Sequence, residues 1–319
     1  MLTISACLSL CVCYISANLH SRFEHRGEVV HNQFAILRGE PHLIDGTPHQ
    51  YPQFQSRVLF PLALSFISKL SGLGPTAWYL LLRVGTAWVA FALFIGACMR
   101  HGAGLKIAGA GAGMLAYSLV FTFNHGWEHP TDFIDVGAFA IYCALALEGR
   151  RWAFAALVAL GATNHQTAAF GAVIWFFANA TKSRWLADGV YSSGVIAAAY
   201  AVSTTIARGL SREPLAPYPI DGYLTLQHFR EAMSHPQPFA WPFLLVAMLV
   251  PVCMWLRANW SAVDTRLVRA AVVIIAISSP LAFWSEIRSV WLAPIVVLIF
   301  AATIAEGRAA ETSGRVTVK

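Results

Sequence analysis

The sequence predicts an all-α polytopic membrane protein with about eight to eleven membrane elements, some of them broken or re-entrant. Three observations predict it. Apolar residues make up 57% of the chain and charged residues only 12%, about half the 25% of a soluble globular protein. Long apolar runs recur along the whole length. The two longest polar stretches, Leu19 to Arg57 and Arg208 to Phe239, are too short to build cores of their own. The chain is therefore one integral membrane domain over residues 1–319, with 19–57 and 208–239 as its two long extracytoplasmic loops.

Seven runs have the roughly 17 to 25 residues a spanning helix needs. They are Leu2 to Asn18, Ala77 to Cys98, Ile107 to Phe123, Val190 to Ala207, Ala240 to Leu256, Leu267 to Phe283 and Val290 to Ile304. The first lacks a basic flank and is followed by further apolar runs, so it reads as a retained helix and not a signal peptide. Three more runs are short or interrupted. Val58 to Leu73 has 16 residues and contains Pro61; Val136 to Leu147 is shorter still; Phe154 to Ala180 is broken by Asn164-His165-Gln166-Thr167. All six cysteines fall inside apolar runs, where neither a disulfide framework nor a zinc ribbon is expected.

The basic residues orient the chain. Arg100 and the connections His101 to Lys106, Gly149 to Trp152, Thr181 to Leu186, Arg257 to Arg269 and the tail after Glu306 hold 12 of the 22, against 8 in the much longer segments of the opposite side. The former are thus expected in the cytoplasm. The net charge of +6 is then a topology signal and no indication of nucleic-acid binding. This orientation requires Val58 to Leu73 to be re-entrant or surface-lying, and the Asn164 break to be the outer tip of a helical hairpin. On the same orientation, 10 of the 11 histidines and 11 of the 16 acids lie outside. Such one-sidedness points to a polar cavity at the outer face.

Four clusters converge on that face. The first loop carries Glu24, Glu28 and, directly before an apolar run, Arg57, whose guanidinium suits a phosphate. The stretch Asn124 to Asp132 contains His125-Gly126-Trp127-Glu128-His129, a zinc-like spacing. No metal is assigned to it, because Pro130 steers His129 away from helix and Thr131 or Asp132 serves as a cap for a span beginning near Asp135. The third cluster is Asn164 to Thr167, four polar residues at membrane depth. The fourth is the charged turn Glu286-Ile287-Arg288 between two apolar spans.

These motifs resemble, in order along most of the chain, bacterial polytopic proteins of the GT-C-type membrane glycosyltransferases. The carrying residues are Gln55-Ser56-Arg57-Val58-Leu59-Phe60-Pro61-Leu62, His129-Pro130-Thr131-Asp132, Asn164-His165-Gln166-Thr167 and Glu286-Ile287-Arg288. The resemblance implies transfer of a sugar from a polyprenyl-phosphate donor to a lipid or glycan acceptor at the outer face of a bacterial cytoplasmic membrane. It implies an acidic general base in the first loop, Glu28 or else Glu24. It further implies phosphate-side arginines at Arg57 and Arg288, and a sugar or acceptor pocket shaped by His129, Asp132, Asn164, His165 and Glu286. Related chains usually read Asn-Arg-Glu-Thr at the break, where this one has Asn164-His165-Gln166-Thr167. No cofactor is named by the sequence. A transporter, a lipid-binding protein and a non-catalytic subunit of a larger assembly are the competing readings, since interrupted helices serve transport as well.

Overall fold

The computed structural model describes residues 1–19, 26–44, 47–49, 57–122, 130–181, 183–211, 240–279 and 287–316. Within them the protein is an all-helical polytopic membrane fold of twelve α-helices, with one short β-hairpin. Helix α1 spans Leu2–Leu19 and α2 Arg26–Arg38; strands β1 (His42–Ile44) and β2 (Thr47–His49) pair antiparallel; α3 is Leu59–Ser71, α4 Pro75–Arg100, α5 Leu105–Thr122 and α6 Pro130–Leu147. Helix α7 is Arg151–Ala162, followed by a 3₁₀ turn at Gln166–Phe170 and α8 at Gly171–Asn179. The remainder comprises α9 (Trp185–Leu210), α10 (Ala240–Ala258), a 3₁₀ turn at Trp260–Ala262, α11 (Thr265–Ser278) and α12 (Ile287–Val316).

Among the described residues, four segments are long and apolar enough to cross a bilayer: Pro75–Arg100, Leu105–Thr122, Trp185–Leu210 and Trp291–Thr312. Two helices form the axis. Along α6, residues such as Phe133, Val136, Phe139 and Tyr142 are buried, and in α12 nearly every residue from Leu292 to Ala305 is buried. Helix α6 is flanked by α4, α7, α8 and α12, while α12 is flanked by α5, α10 and α11. An axial helix that is apolar on all sides needs partners on all sides, which is what the surrounding helices provide.

One end of the bundle, here called the base, collects the segments that sequence places together on the cytoplasmic side. Arg100 and Arg150 both reach Glu148, at 2.7 Å and 2.9 Å, and Arg151 reaches Asp188 at 3.1 Å. Arg266 Nη1 donates to the carbonyl of Ala178 at 2.7 Å, and the Trp255 indole donates to Glu306. The opposite end holds the starts of α3, α4 and α6 and the α7–α8 junction.

Helix α3 does not run from one end of the bundle to the other. Helix α3 begins with Phe60, edge-to-face on Tyr79, and ends at Ser71, whose hydroxyl accepts from the Trp78 indole. Both of its ends thus meet the first turns of α4, and Gly72, left-handed at φ 69°, ends the helix so that the chain turns straight into Pro75. The α7–α8 segment is a hairpin: Asn179, at the end of α8, donates to the carbonyl of Ala146 at 2.9 Å, next to where α7 starts. Its tip is Thr163 to Thr167, the polar break read from sequence.

The described part of the first long loop, residues 26–44 and 47–49, is structured. Asn32 on α2 donates to the Leu43 carbonyl at 2.7 Å and accepts from the Leu43 N–H at 2.8 Å, so one amide side chain acts as an extra strand partner for β1. Val30, Phe60, Leu64 and Tyr79 form a small second core beneath it.

At the base, Asp264 caps α11, accepting from the Arg266 N–H at 3.1 Å and pairing with its guanidinium at 2.7 Å. Burial alone would raise this carboxyl, but the hydrogen bonds and charge of Arg266 outweigh it and hold the group below the ordinary carboxylate range. A carboxylate depressed on folding stabilises the fold above its unfolded pKa, and that contribution is lost as pH falls through the folded value. Detergent-solubilised protein is therefore expected to lose unfolding temperature below about pH 4, and Asp264→Asn to remove part of that dependence. An identical acid limb in Asp264→Asn would assign it to other groups.

Candidate functional site

The polar groups of the upper end gather around α6. The sequence-based expectation of a helix starting near Asp135 is corrected here: α6 starts at Pro130. Proline is favoured in the first helical position because its fixed φ suits the helix and its missing N–H is not needed there. Thr131 and Asp132 consequently lie inside the first turn and not at the N-cap position. Asp135 lies a turn deeper, 3% exposed, with Asp132 one turn away on the same face of the helix.

Asp135 is the hub. Its Oδ1 accepts from Asn164 Nδ2 at 2.7 Å and its Oδ2 from the Thr167 hydroxyl at 3.0 Å. Asn164 is fully buried and its amide also donates to the Thr131 carbonyl at 2.9 Å. The break in the apolar run is therefore folded inward, tying the hairpin tip to α6. Buried polar groups persist at such depth only when bonded in this way. Two buried oxygens, Asn164 Oδ1 and Thr131 Oγ1, have no hydrogen-bond partner among the described residues.

From Asp135 the network runs outward to a cation. Thr167 Oγ1 lies 2.7 Å from His165 Nδ1, and His165 Nε2 lies 2.7 Å from an Nη2 of Arg57. Guanidinium only donates, so Nε2 must accept and the ring proton is assigned to Nδ1. The Nδ1–H then donates to the Thr167 hydroxyl, which passes its own proton toward Asp135. Every donor in the chain Arg57, His165, Thr167, Asp135 points the same way and ends on the carboxylate. The Thr167 N–H also lies 3.2 Å from His165 Nδ1, a contact that competes for the lone pair this tautomer gives up; the 2.7 Å Arg57 contact decides between them. Arg57 is half-buried, and its charge, like that of Asp132, acts on Asp135.

Main chain reinforces the junction. The N–H groups of Val58 and Leu59 both donate to the Thr163 carbonyl, at 2.9 Å and 3.3 Å. The start of α3 and the hairpin tip are fastened together, and Arg57 sits at the seam.

Of the residues expected at this site, Arg57, Asp132, Asn164 and His165 come together. Glu24, His129 and Glu286 lie outside the described residues. Glu28 lies on α2 and Arg288 in the first turn of α12, their side chains outside the described set. Thr167 belongs to the polar break read from the sequence but was given no role there, and Asp135 was read only as a boundary residue, although an acid within a run that becomes helical is a signal in its own right. No group of three or more metal-ligating side chains occurs among the described residues.

The chain matches no family model, no curated protein and no solved structure.

Proposed function

We propose that the protein is a membrane glycosyltransferase that moves a sugar from a lipid-phosphate donor to a lipid or glycan acceptor, at the outer face of a bacterial cytoplasmic membrane. The observation that carries this reading is the built support of Arg57. A guanidinium at the upper end of the bundle is held by a directed hydrogen-bond chain that ends on a buried carboxylate. A preorganised cation of this kind stabilises charge that develops on a departing phosphate, because it needs no reorganisation when the bond breaks.

In the proposed reaction, the acceptor hydroxyl oxygen attacks the anomeric carbon while the bond from that carbon to the phosphate oxygen breaks. Glu28 takes the acceptor's proton, and the lipid phosphate leaves with the bonding pair, facing Arg57 and Arg288. Asp135 is not the base in this scheme, since both of its oxygens already accept hydrogen bonds and the group is buried. Its role is to orient Thr167 and His165, and through them Arg57.

The test is glycan and glycolipid profiling of a deletion strain of the native host, complemented with the parent, Arg57→Ala or Glu28→Gln. We expect the deletion to lose a surface glycan or glycolipid that the parent restores. Arg57→Ala should restore it at a rate roughly 100-fold lower despite normal abundance in the membrane. An unchanged profile in the deletion strain, or full restoration by Arg57→Ala, would falsify the assignment.

A further inference from the structure

At the base, the end of α4 and the α6–α7 and α8–α9 turns bring four arginines to one corner. Glu148 holds Arg100 at 2.7 Å and Arg150 at 2.9 Å; Asp188 holds Arg151 at 3.1 Å and lies 3.9 Å from Arg184. The two acids and the four bases differ in position as well as number. Asp188 is fully buried and Glu148 largely so, whereas Arg150 and Arg184 are 62% and 58% exposed. The acids thus sit behind the guanidinium groups and brace them, and the charge presented outward is positive. Trp152 and Trp185, adjacent in sequence to Arg151 and Arg184, are 87% and 60% exposed and mark the starts of α7 and α9. Indoles at this level are what the boundary between headgroups and acyl chains selects.

We propose that this corner is a binding site for the phosphate headgroup of an anionic phospholipid, with Trp152 and Trp185 seated beside it in the interface. Charge complementarity favours an anionic ligand, and the paired exposed indoles favour a lipid over a soluble acidic polypeptide. The site is at the opposite end of the bundle from the Arg57 cluster and does not depend on the reaction proposed there. Arginine suits the task because its planar fork binds phosphate oxygens in pairs. Bracing by Glu148 and Asp188 lowers the entropy lost when the headgroup docks.

The test uses full-length protein in neutral detergent, titrated with phosphatidylglycerol or phosphatidylcholine and read by native mass spectrometry and thermal unfolding. Phosphatidylglycerol is expected to bind preferentially and to raise the unfolding temperature. The double variant Arg150→Gln/Arg184→Gln should bind it about tenfold more weakly while unfolding like the parent in phosphatidylcholine. Its fold is protected because Glu148 keeps Arg100 and Asp188 keeps Arg151. Arg257→Gln/Arg269→Gln removes two exposed charges elsewhere and should bind phosphatidylglycerol like the parent. The proposal is overturned if the corner variant binds like the parent, or if the control variant weakens as much. It is also overturned if inorganic phosphate or poly-glutamate stabilises the protein as well as the lipid does. Should the corner variant prove unstable, the parent decides alone: brominated phosphatidylglycerol should quench its tryptophan fluorescence more than brominated phosphatidylcholine, and equal quenching rejects the site.

Discussion

Asp135→Ala is expected to lower the unfolding free energy by about 3 kcal/mol or more and to abolish complementation of a deletion strain. The substitution strands one N–H of the buried Asn164 amide and the half-buried Thr167 hydroxyl, whose heavy atoms lie 2.7 Å and 3.0 Å from the carboxylate oxygens. Each unsatisfied buried donor costs about 1 to 3 kcal/mol, and no water of the bilayer core replaces the lost partner. Asp135→Asn keeps the shape and one acceptor, so its loss should be about half as large. The two effects have separate readouts. Thermal unfolding in detergent reports the stranded donors, and the glycan profile reports the released Arg57. If Asp135→Ala unfolds within about 0.5 kcal/mol of the parent, the network does not hold the hairpin tip as described.

Gly307→Ala is expected to destabilise by about 3 kcal/mol, at the upper end of overpacking substitutions. A Cβ at this position would stand 2.7 Å from Ala103 Cα, 2.9 Å from the Gly102 carbonyl oxygen and 3.0 Å from Ala103 N. All three are backbone atoms of the α4–α5 turn, so no side-chain rotation relieves the clash. The turn itself is constrained, because Gly102 holds φ at +96°. Helix α12 would have to move instead, and its buried length from Leu292 to Ala305 would move with it. Gly194 supplies the opposite control. It lies exposed in α9 with nothing within 4 Å of a new Cβ, so Gly194→Ala should stabilise by about 0.5 to 1 kcal/mol through helix propensity. Unfolding measurements on the two variants should therefore differ in sign, and equal losses would show that the α12 contact is looser than its distances imply.

The helices were legible because bilayer crossing imposes a length and an apolarity that a single sequence displays directly. The non-crossing course of α3 followed from its 16-residue run and Pro61, combined with where the arginines had to go. The hairpin tip was visible as four polar residues in an apolar run. What the sequence concealed was partnership. Arg57 and His165 are 108 residues apart, and nothing local in either segment names the other. Asp135 was hidden for a different reason: Pro130 starts α6 almost two turns before its apolar stretch, so an interior acid looked like a boundary residue. The pairing of Glu148 with Arg100, 48 residues away, likewise depends on two helix ends meeting in space.

The two main-chain hydrogen bonds from Val58 and Leu59 to Thr163 make the start of α3 and the broken hairpin a single mechanical unit. A displacement of the start of α3 pulls on the carbonyl one residue before Asn164. It reaches the carboxylate of α6 through the Asn164 side chain, whose amide donates to Asp135 at 2.7 Å. The start of α3 and the axial helix α6 are therefore coupled through two successive residues, Thr163 and Asn164.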